Sequence, residues 1–365
     1  MKKKLIIIIL NILFLTAFLV CHAVSASIIV PLLSQQAAKA WAGQSGERFA
    51  QVSVFFPKTY EFNEQSIMSA RAGIESALIA ASMESGRDGR ILYTDAWSAD
   101  GRISIIGERG ESSATVIGVG GDYFLFHPQR LRSGVYLSPN SLMKDYVILD
   151  EELAWRLFGA VDLSGMEVMI GSRPFKIAGV IARETDFAST KAYEASGGGA
   201  GLYMPYETLN EIMGSQAKIH TYEIVLPDPI TGFAFDTLKG AFPDTSLRII
   251  QNTSRFETEN LLGIIGSFGE RAMSTNAADV PYWENAALFA EDWLALLLFL
   301  SYVFMVYPAA CAVYYSVKLI RFGIRKGKDK IKDIIKRRDN RAYERYIKQR
   351  QLPKTRNEQD SIRLP

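Results

Sequence analysis

The sequence predicts an α+β domain carried on one side of a membrane between two spanning helices. Three observations point there. Apolar runs stand near both ends of the 365-residue chain, and the polar stretch between them holds no third run of spanning length. Within that stretch strand-like segments alternate with helix-like ones, bounded by Gly and Pro. Charge is segregated as well: 17 basic and 6 acidic residues follow Val317, while the whole chain carries 41 and 39.

The first apolar run follows Lys2-Lys3-Lys4 and continues to Leu33, which predicts a transmembrane helix over residues 1–33. Val24-Ser25-Ala26 also fits the small-residue end of a cleaved secretory signal. The apolar character beyond it favours an uncleaved anchor. The second run, Trp293 to Val317, has 25 residues without a charge. As a helix at ~1.5 Å per residue it reaches about 37 Å, enough to cross a hydrocarbon core of ~30 Å. Basic residues beside membrane spans stay cytoplasmic. Both termini are therefore expected inside the plasma membrane, with residues 34–292 extracytoplasmic. The only cysteines, Cys21 and Cys311, lie in the two runs, so the external domain is expected to hold without disulfides.

Within the domain, Phe49 to Phe56 is rich in β-formers and stops at Pro57, a strand. Asn63 can cap a helix from Glu64 to Met83 with Ile67, Ala70, Ile74, Leu78 and Ala81 on one face. Gly86 and Gly89 are expected to end it, and Ile91 to Thr94 begins another strand. A second strand–helix–strand unit reads as Tyr222–Leu226, Thr231–Lys239 and Leu247–Gln251. Between the two units, residues 112–205 hold strands at Thr115–Val119, Tyr146–Leu149, Glu167–Ile170 and Phe175–Ile181. One helix, Glu151–Phe158, lies among them. Residues 256–292 read as a stalk or interfacial helix with Leu261, Leu262, Ile264, Ile265 and Phe268 on one stripe. Pro281-Tyr282-Trp283 and Trp293 place aromatics near the outer membrane interface. Pro308 could kink the second span. The basic tail, 318–365, reads as a surface helix with a thin stripe of Ile331, Ile334, Ile335 and Tyr346 drawn to lipid, its end from Pro353 disordered.

The order Gly118-Val119-Gly120-Gly121-Asp122-Tyr123-Phe124, Leu131-Arg132-Ser133-Gly134, then Val147 through Gly159 resembles the MacB-like periplasmic core domain. The likeness continues through Gly165, Gly171 to Val180, and Tyr203-Met204-Pro205. The resemblance implies a porter-like lobe in two halves, 34–111 and 206–255, with a β-rich lobe, 112–205, inserted. In ABC-type permeases of the MacB/FtsX kind this domain sits between the first two of four membrane helices. This chain therefore looks like a truncated member lacking the last two. Arg321-Phe322-Gly323-Ile324-Arg325-Lys326 is a shortened echo of the coupling segment that often follows the second span in that family.

Chemistry-bearing patterns are sparse. His22, His127 and His220 have no carboxylate or cysteine at metal-ligand spacing. No Gly-x-x-x-x-Gly-Lys-Ser/Thr loop is present, so an ATPase would be a separate polypeptide. Ser196 to Gly201 reads as a flexible connection and Gly118, Gly120 and Gly121 as a tight bend before Asp122, itself a cap or turn residue. Trp155 and Phe158 read as core anchors. No catalytic, cofactor or metal residue is nominated, and the chain is expected not to be an enzyme.

The expected role is a non-catalytic membrane subunit that binds a partner or substrate outside and transmits movement. Its expected partners are a cytoplasmic ABC-type ATPase, a permease subunit or a second copy, together with lipid and not nucleic acid. A stand-alone anchored scaffold that has lost transport is the alternative.

Overall fold

The computed structural model describes residues 2–83, 91–195, 201–266 and 280–351. Helix α1 spans Lys2–Ile29 and α10 spans Tyr282–Gln351, and both are long and apolar enough to cross a membrane. The chain divides into two compact units. One holds the outer parts of α1 and α10, where the Phe14 ring lies 5.4 Å from Tyr307 and 6.2 Å from Phe304. The other, Leu19–Ser301, is the folded domain.

The domain is built on a ten-stranded mixed sheet. Its strands are β1 (Phe49–Phe55), β2 (Thr94–Gly107), β3 (Gly110–Gly121), β4 (Leu131–Gly134) and β5 (Tyr146–Asp150). They continue with β6 (Glu167–Ile170), β7 (Arg173–Ile181), β8 (Leu202–Pro205), β9 (Ile219–Pro227) and β10 (Arg248–Gln251). The order is β10-β1-β9-β2-β3-β8-β5-β7-β4, with β6 joined to β2 and β7. β3 with β8 and β5 with β7 are parallel; the other pairs are antiparallel. The β2–β3 hairpin pairs from Ala96↔Gly121 to Gly107↔Gly110 and ties the strand–helix–strand units to the inserted block. The expected boundary at 111/112 falls inside β3.

Short helices cover the sheet: α2 (Ala37–Ala42), α3 (Glu64–Ala80), α4 (Tyr123–Phe126), α5 (Glu151–Leu157), α6 (Phe187–Ala195), α7 (Tyr206–Ile212), α8 (Phe233–Ala241) and α9 (Thr258–Ile265). Asn63 caps α3 by accepting from the Ser66 amide, and Ile67, Ala70, Ile74 and Leu78 are its buried face. Ala81 is exposed, because the helix has already ended. Ser82 takes φ +58°, and the Met83 amide reaches back to the Leu78 carbonyl at 2.9 Å, a Schellman closure without glycine. Gly86 and Gly89, expected to stop it, lie outside the described residues.

Other boundaries move for local reasons. β2 starts at Thr94, the first residue in register with β9, rather than at Ile91. α8 starts two residues late, because Gly232 sits at φ +95° and Asp228 accepts from the Ala234 amide. Of the stalk or interfacial helix expected over 256–292, the structure shows the eight-residue α9 with Leu261 and Ile264 buried and, from Tyr282, the first turns of α10; residues 267–279, Phe268 among them, lie outside the described residues. Gly121 takes φ +61°, as the expected bend requires. Gly118 and Gly120 instead make room, since a Cβ at 120 would stand 2.1 Å from the Trp97 ring. Pro308 lies within α10, which continues as a helix well into the basic tail. The tail from Pro353 onward lies outside the described residues.

Candidate functional site

Charge buried beneath the sheet marks the site. Arg255 follows β10 and turns back onto it, its amide donating to the Asn252 carbonyl at 3.2 Å. Its guanidinium is buried and engaged at every nitrogen: Nε donates to Glu291 at 2.5 Å, and the two terminal nitrogens take both oxygens of Glu284 at 2.7 and 2.8 Å. Gln35 Oε1 accepts from the same guanidinium at 3.2 Å and from Asn252 at 2.8 Å. Burial alone would pull the arginine pKa down, but the Glu284 and Glu291 carboxylates outweigh it and raise it. Arg248, half exposed, adds a second cation 3.2 Å from Glu284. Two cations thus face two carboxylates. That balance is what lets buried charge persist, because an unpaired one costs several kcal/mol.

These groups come from the places where the chain enters and leaves the domain. Gln35 ends a single 3₁₀ turn, Leu33–Gln35, just past α1. The carboxamide of Gln36 donates to the carbonyls of Ile29, Val30 and Leu32, satisfying the C-terminal end of α1. Glu284 and Glu291 are seven apart, two turns on one face of α10. Gln51 in β1 closes the arrangement, donating to the Ser34 carbonyl at 2.7 Å and accepting from the Ala37 amide at 2.9 Å.

A polar relay continues into the sheet. The Ser53 hydroxyl lies 2.9 Å from both Asn252 Oδ1 and Glu223 Oε1. Glu223 in turn meets His127 Nε2. The imidazole packs between the Tyr123 and Trp283 rings, at 4.6 and 4.3 Å between centroids. Gln129 donates to the hydroxyls of Tyr282 at 2.6 Å and Tyr203 at 3.0 Å. Tyr282 stacks on Tyr193, whose helix follows Glu184, a carboxyl that burial pushes upward in pKa. Among the described residues the Tyr123 hydroxyl, His127 Nδ1 and the Trp283 indole N–H are buried without a hydrogen-bond partner.

Several expectations are corrected here. Tyr282 and Trp283 are buried in the domain rather than set at the membrane interface, because the first turns of α10 belong to the core. Trp293 is half exposed and packs against Phe187 at 5.9 Å. Trp155 is exposed, since α5 turns Leu153, Ala154 and Leu157 inward; Phe158 is buried as expected. His127 has a carboxylate partner 96 residues away that spacing could not show. His220 stands in β9 near Asp100; burial lowers the imidazole and raises the carboxyl. His22 lies within α1. Asp122 is a turn residue before α4, its carboxylate accepting from Thr94 at 2.5 Å. Of the glycine cluster, residues 196–200 lie outside the described residues, while Gly201 bridges the Thr115 carbonyl and the Asp150 amide.

Sequence reasoning missed Arg255, Glu284, Glu291, Gln35 and Glu223. One signal was available: two glutamates at heptad spacing in the apolar stretch that leads into the second span.

Hollows border the domain's charged groups. One of about 440 Å³ opens onto Arg255 and Glu291 past Ser254, Asn260 and Ile264. Another of about 240 Å³ is floored by Trp97 and Phe124 and rimmed by Arg71, Asn140, Lys144 and Glu207. Arg71 is held there by Asp95 at 2.6 and 2.7 Å, which raises its pKa. Among the described residues no three His, Cys, Asp or Glu side chains gather as a metal ion would need.

The family model for the MacB-like periplasmic core domain matches residues 13–234. The macrolide export ATP-binding/permease protein MacB of Aggregatibacter actinomycetemcomitans is 27% identical over 131 residues, 35% of this chain and 19% of that protein. Its counterpart from Chromobacterium violaceum is 28% identical over 119 residues, 32% and 17% of the two chains. The match therefore spans under a fifth of either curated relative. Among solved structures, the periplasmic region of MacB from Actinobacillus actinomycetemcomitans aligns at 17% identity and TM-score 0.41, over 57% of this chain and 92% of that one. The extracellular domain of the noncanonic ABC-type transporter YknZ from Gram-positive bacteria aligns at 15% and 0.35, over 55% and 99%. The assignment rests on the family model, which covers more than half the chain, and on the apolar helices that flank it. The chain belongs to the MacB-like periplasmic core domain family and is a membrane protein with an extracytoplasmic domain.

Proposed function

We propose that this chain is a non-catalytic membrane subunit that resembles an ABC transporter permease. Its external domain binds a partner or substrate and passes movement to and from the membrane helices. The observation that carries this reading is Arg255: one buried guanidinium holds both Gln35, just past α1, and Glu284 and Glu291 in α10. The contact ties the chain's entry into the domain to its exit, a position suited to passing movement. The Tyr123, His127 and Trp283 layer next to it leaves buried donors unpaired, which lowers the cost of shifting it relative to a fully satisfied layer.

The driving partner in this reading is a cytoplasmic ABC-type ATPase, a permease subunit or both, the kinds of partner that membership of this family suggests. The basic residues after Val317 support an orientation with both termini in the cytoplasm and residues 34–292 outside the plasma membrane. The porter-like halves, 34–111 and 206–255, and the inserted lobe, 112–205, supply the partner surface.

The test is affinity capture of the full chain after in-cell crosslinking and mild detergent extraction. An ABC-type ATPase or a permease subunit is expected in stoichiometric amounts. Recovery of the chain with neither, under crosslinking that captures known membrane complexes of the same cell, would overturn the reading and leave an anchored scaffold.

A further inference from the structure

Beyond the span, α10 runs on as a helix whose two faces differ in chemistry. Ile331, Ile335 and Ala342 are separated by steps of 4 and 7, both close to whole turns, and so share one stripe. All are exposed; Ile331 and Ile335 keep 58% and 54% of their surface. Between Lys318 and Lys348 there are 13 basic and 4 acidic residues. At 100° per residue, Lys328 and Lys332 flank the stripe on one shoulder, with Arg338 and Arg345 on the other. Asp329, Asp333 and Glu344 fall on the opposite face, which they share with Lys330 and Arg337; Asp339 is the exception.

We propose that this segment is a docking face for an anionic lipid surface, with the isoleucines entering the acyl boundary and the flanking cations reaching the phosphates. The pattern fits an interfacial helix, in which basic side chains border the apolar face and acidic ones point away. A second copy of the chain fits poorly, because pairing the stripes would bring both basic shoulders together. To lie on the surface the helix must turn after the span, and Gly323 and Gly327 are the positions between the span and Ile331 where it can. Neither has an atom within 4 Å of where a Cβ would stand, and glycine holds helical geometry least firmly. Nothing in the proposal depends on which side of the membrane the tail faces or on the transport reading, since a symmetric bilayer offers the same lipid on both sides.

The test uses the full chain in nanodiscs of phosphatidylcholine alone and of phosphatidylcholine with phosphatidylglycerol. Trypsin cleavage of the tail is followed against a soluble trypsin substrate as control. Cleavage is expected to slow by about tenfold or more in the anionic discs and to recover at high salt. The double variant Ile331→Asn/Ile335→Asn keeps every charge and is expected to lose that protection. Equal rates in the two lipids, as an acidic protein partner would give, overturn the proposal. Protection that survives the double variant overturns it too.

Discussion

Arg255 stabilises the domain only while its acceptors are in place. Replaced by Met, it leaves Glu284 and Glu291 buried without the guanidinium that both contact, and stability is expected to fall by about 3–5 kcal/mol. Adding Glu284→Gln and Glu291→Gln removes the stranded charge, so the triple variant should recover most of that loss. Chemical denaturation of the three proteins checks this. A cost below about 1 kcal/mol for Arg255→Met would mean that water reaches the site. Glu184 predicts a pH dependence of the opposite character. Burial holds its folded-state pKa above the unfolded value, so the folded state keeps the proton more tightly. Its contribution to stability is present at low pH and is lost as pH rises through the folded pKa. Glu184→Gln should therefore raise Tm at neutral pH and give no gain once the wild-type carboxyl is protonated. Parallel melting curves between about pH 4 and pH 8 decide it; a gain that does not change with pH would assign the effect to packing.

At the scale of elements, what could be read from sequence was what has a local marker. Asn63 before α3 and Asp150 before α5 announce their helices, and both side chains do cap them. Strand β4 carries a single apolar residue and β8 shows no apolar–polar alternation, so neither stood out as a strand. Helix α7 lacks a capping side chain, whereas α6 has one in Asp186, which accepts from the Ala188 and Ser189 amides and went unread. The end of α3 was misplaced because a serine does there what glycine usually does. Glycine itself is demanded at Gly134, which leads out of β4 at φ +75°. A Cβ there would lie 2.0 Å from the Ala178 carbonyl oxygen. Gly134→Ala should cost roughly 2 kcal/mol or more and strip exchange protection from the Val135 amide, which donates to that carbonyl. Gly165→Ala is the control: φ is +84° but the space is open, so only the backbone penalty of about 1 kcal/mol applies. Equal costs at the two positions would refute the steric account.

For the whole molecule, composition disclosed the membrane helices and the segregation of charge, because both are sums over many residues. The continuity of the sheet was hidden. It depends on the register of β2 with β3 and β9, which no single segment encodes. The buried network was hidden for the same reason: Gln35, Ser53, Glu223, Arg255 and Glu284 meet only once the chain has folded.

The strand that brings the chain in from α1 and the strand that sends it out toward α10 are neighbours, with Val52 opposite Gln251 at the close of β10. If the two membrane helices spread apart, they would pull on this pair from one end and unzip it rung by rung, the mode in which paired strands are weakest. Arg255 and Gln51 lie at that end. Such a clasp stands where tearing would start.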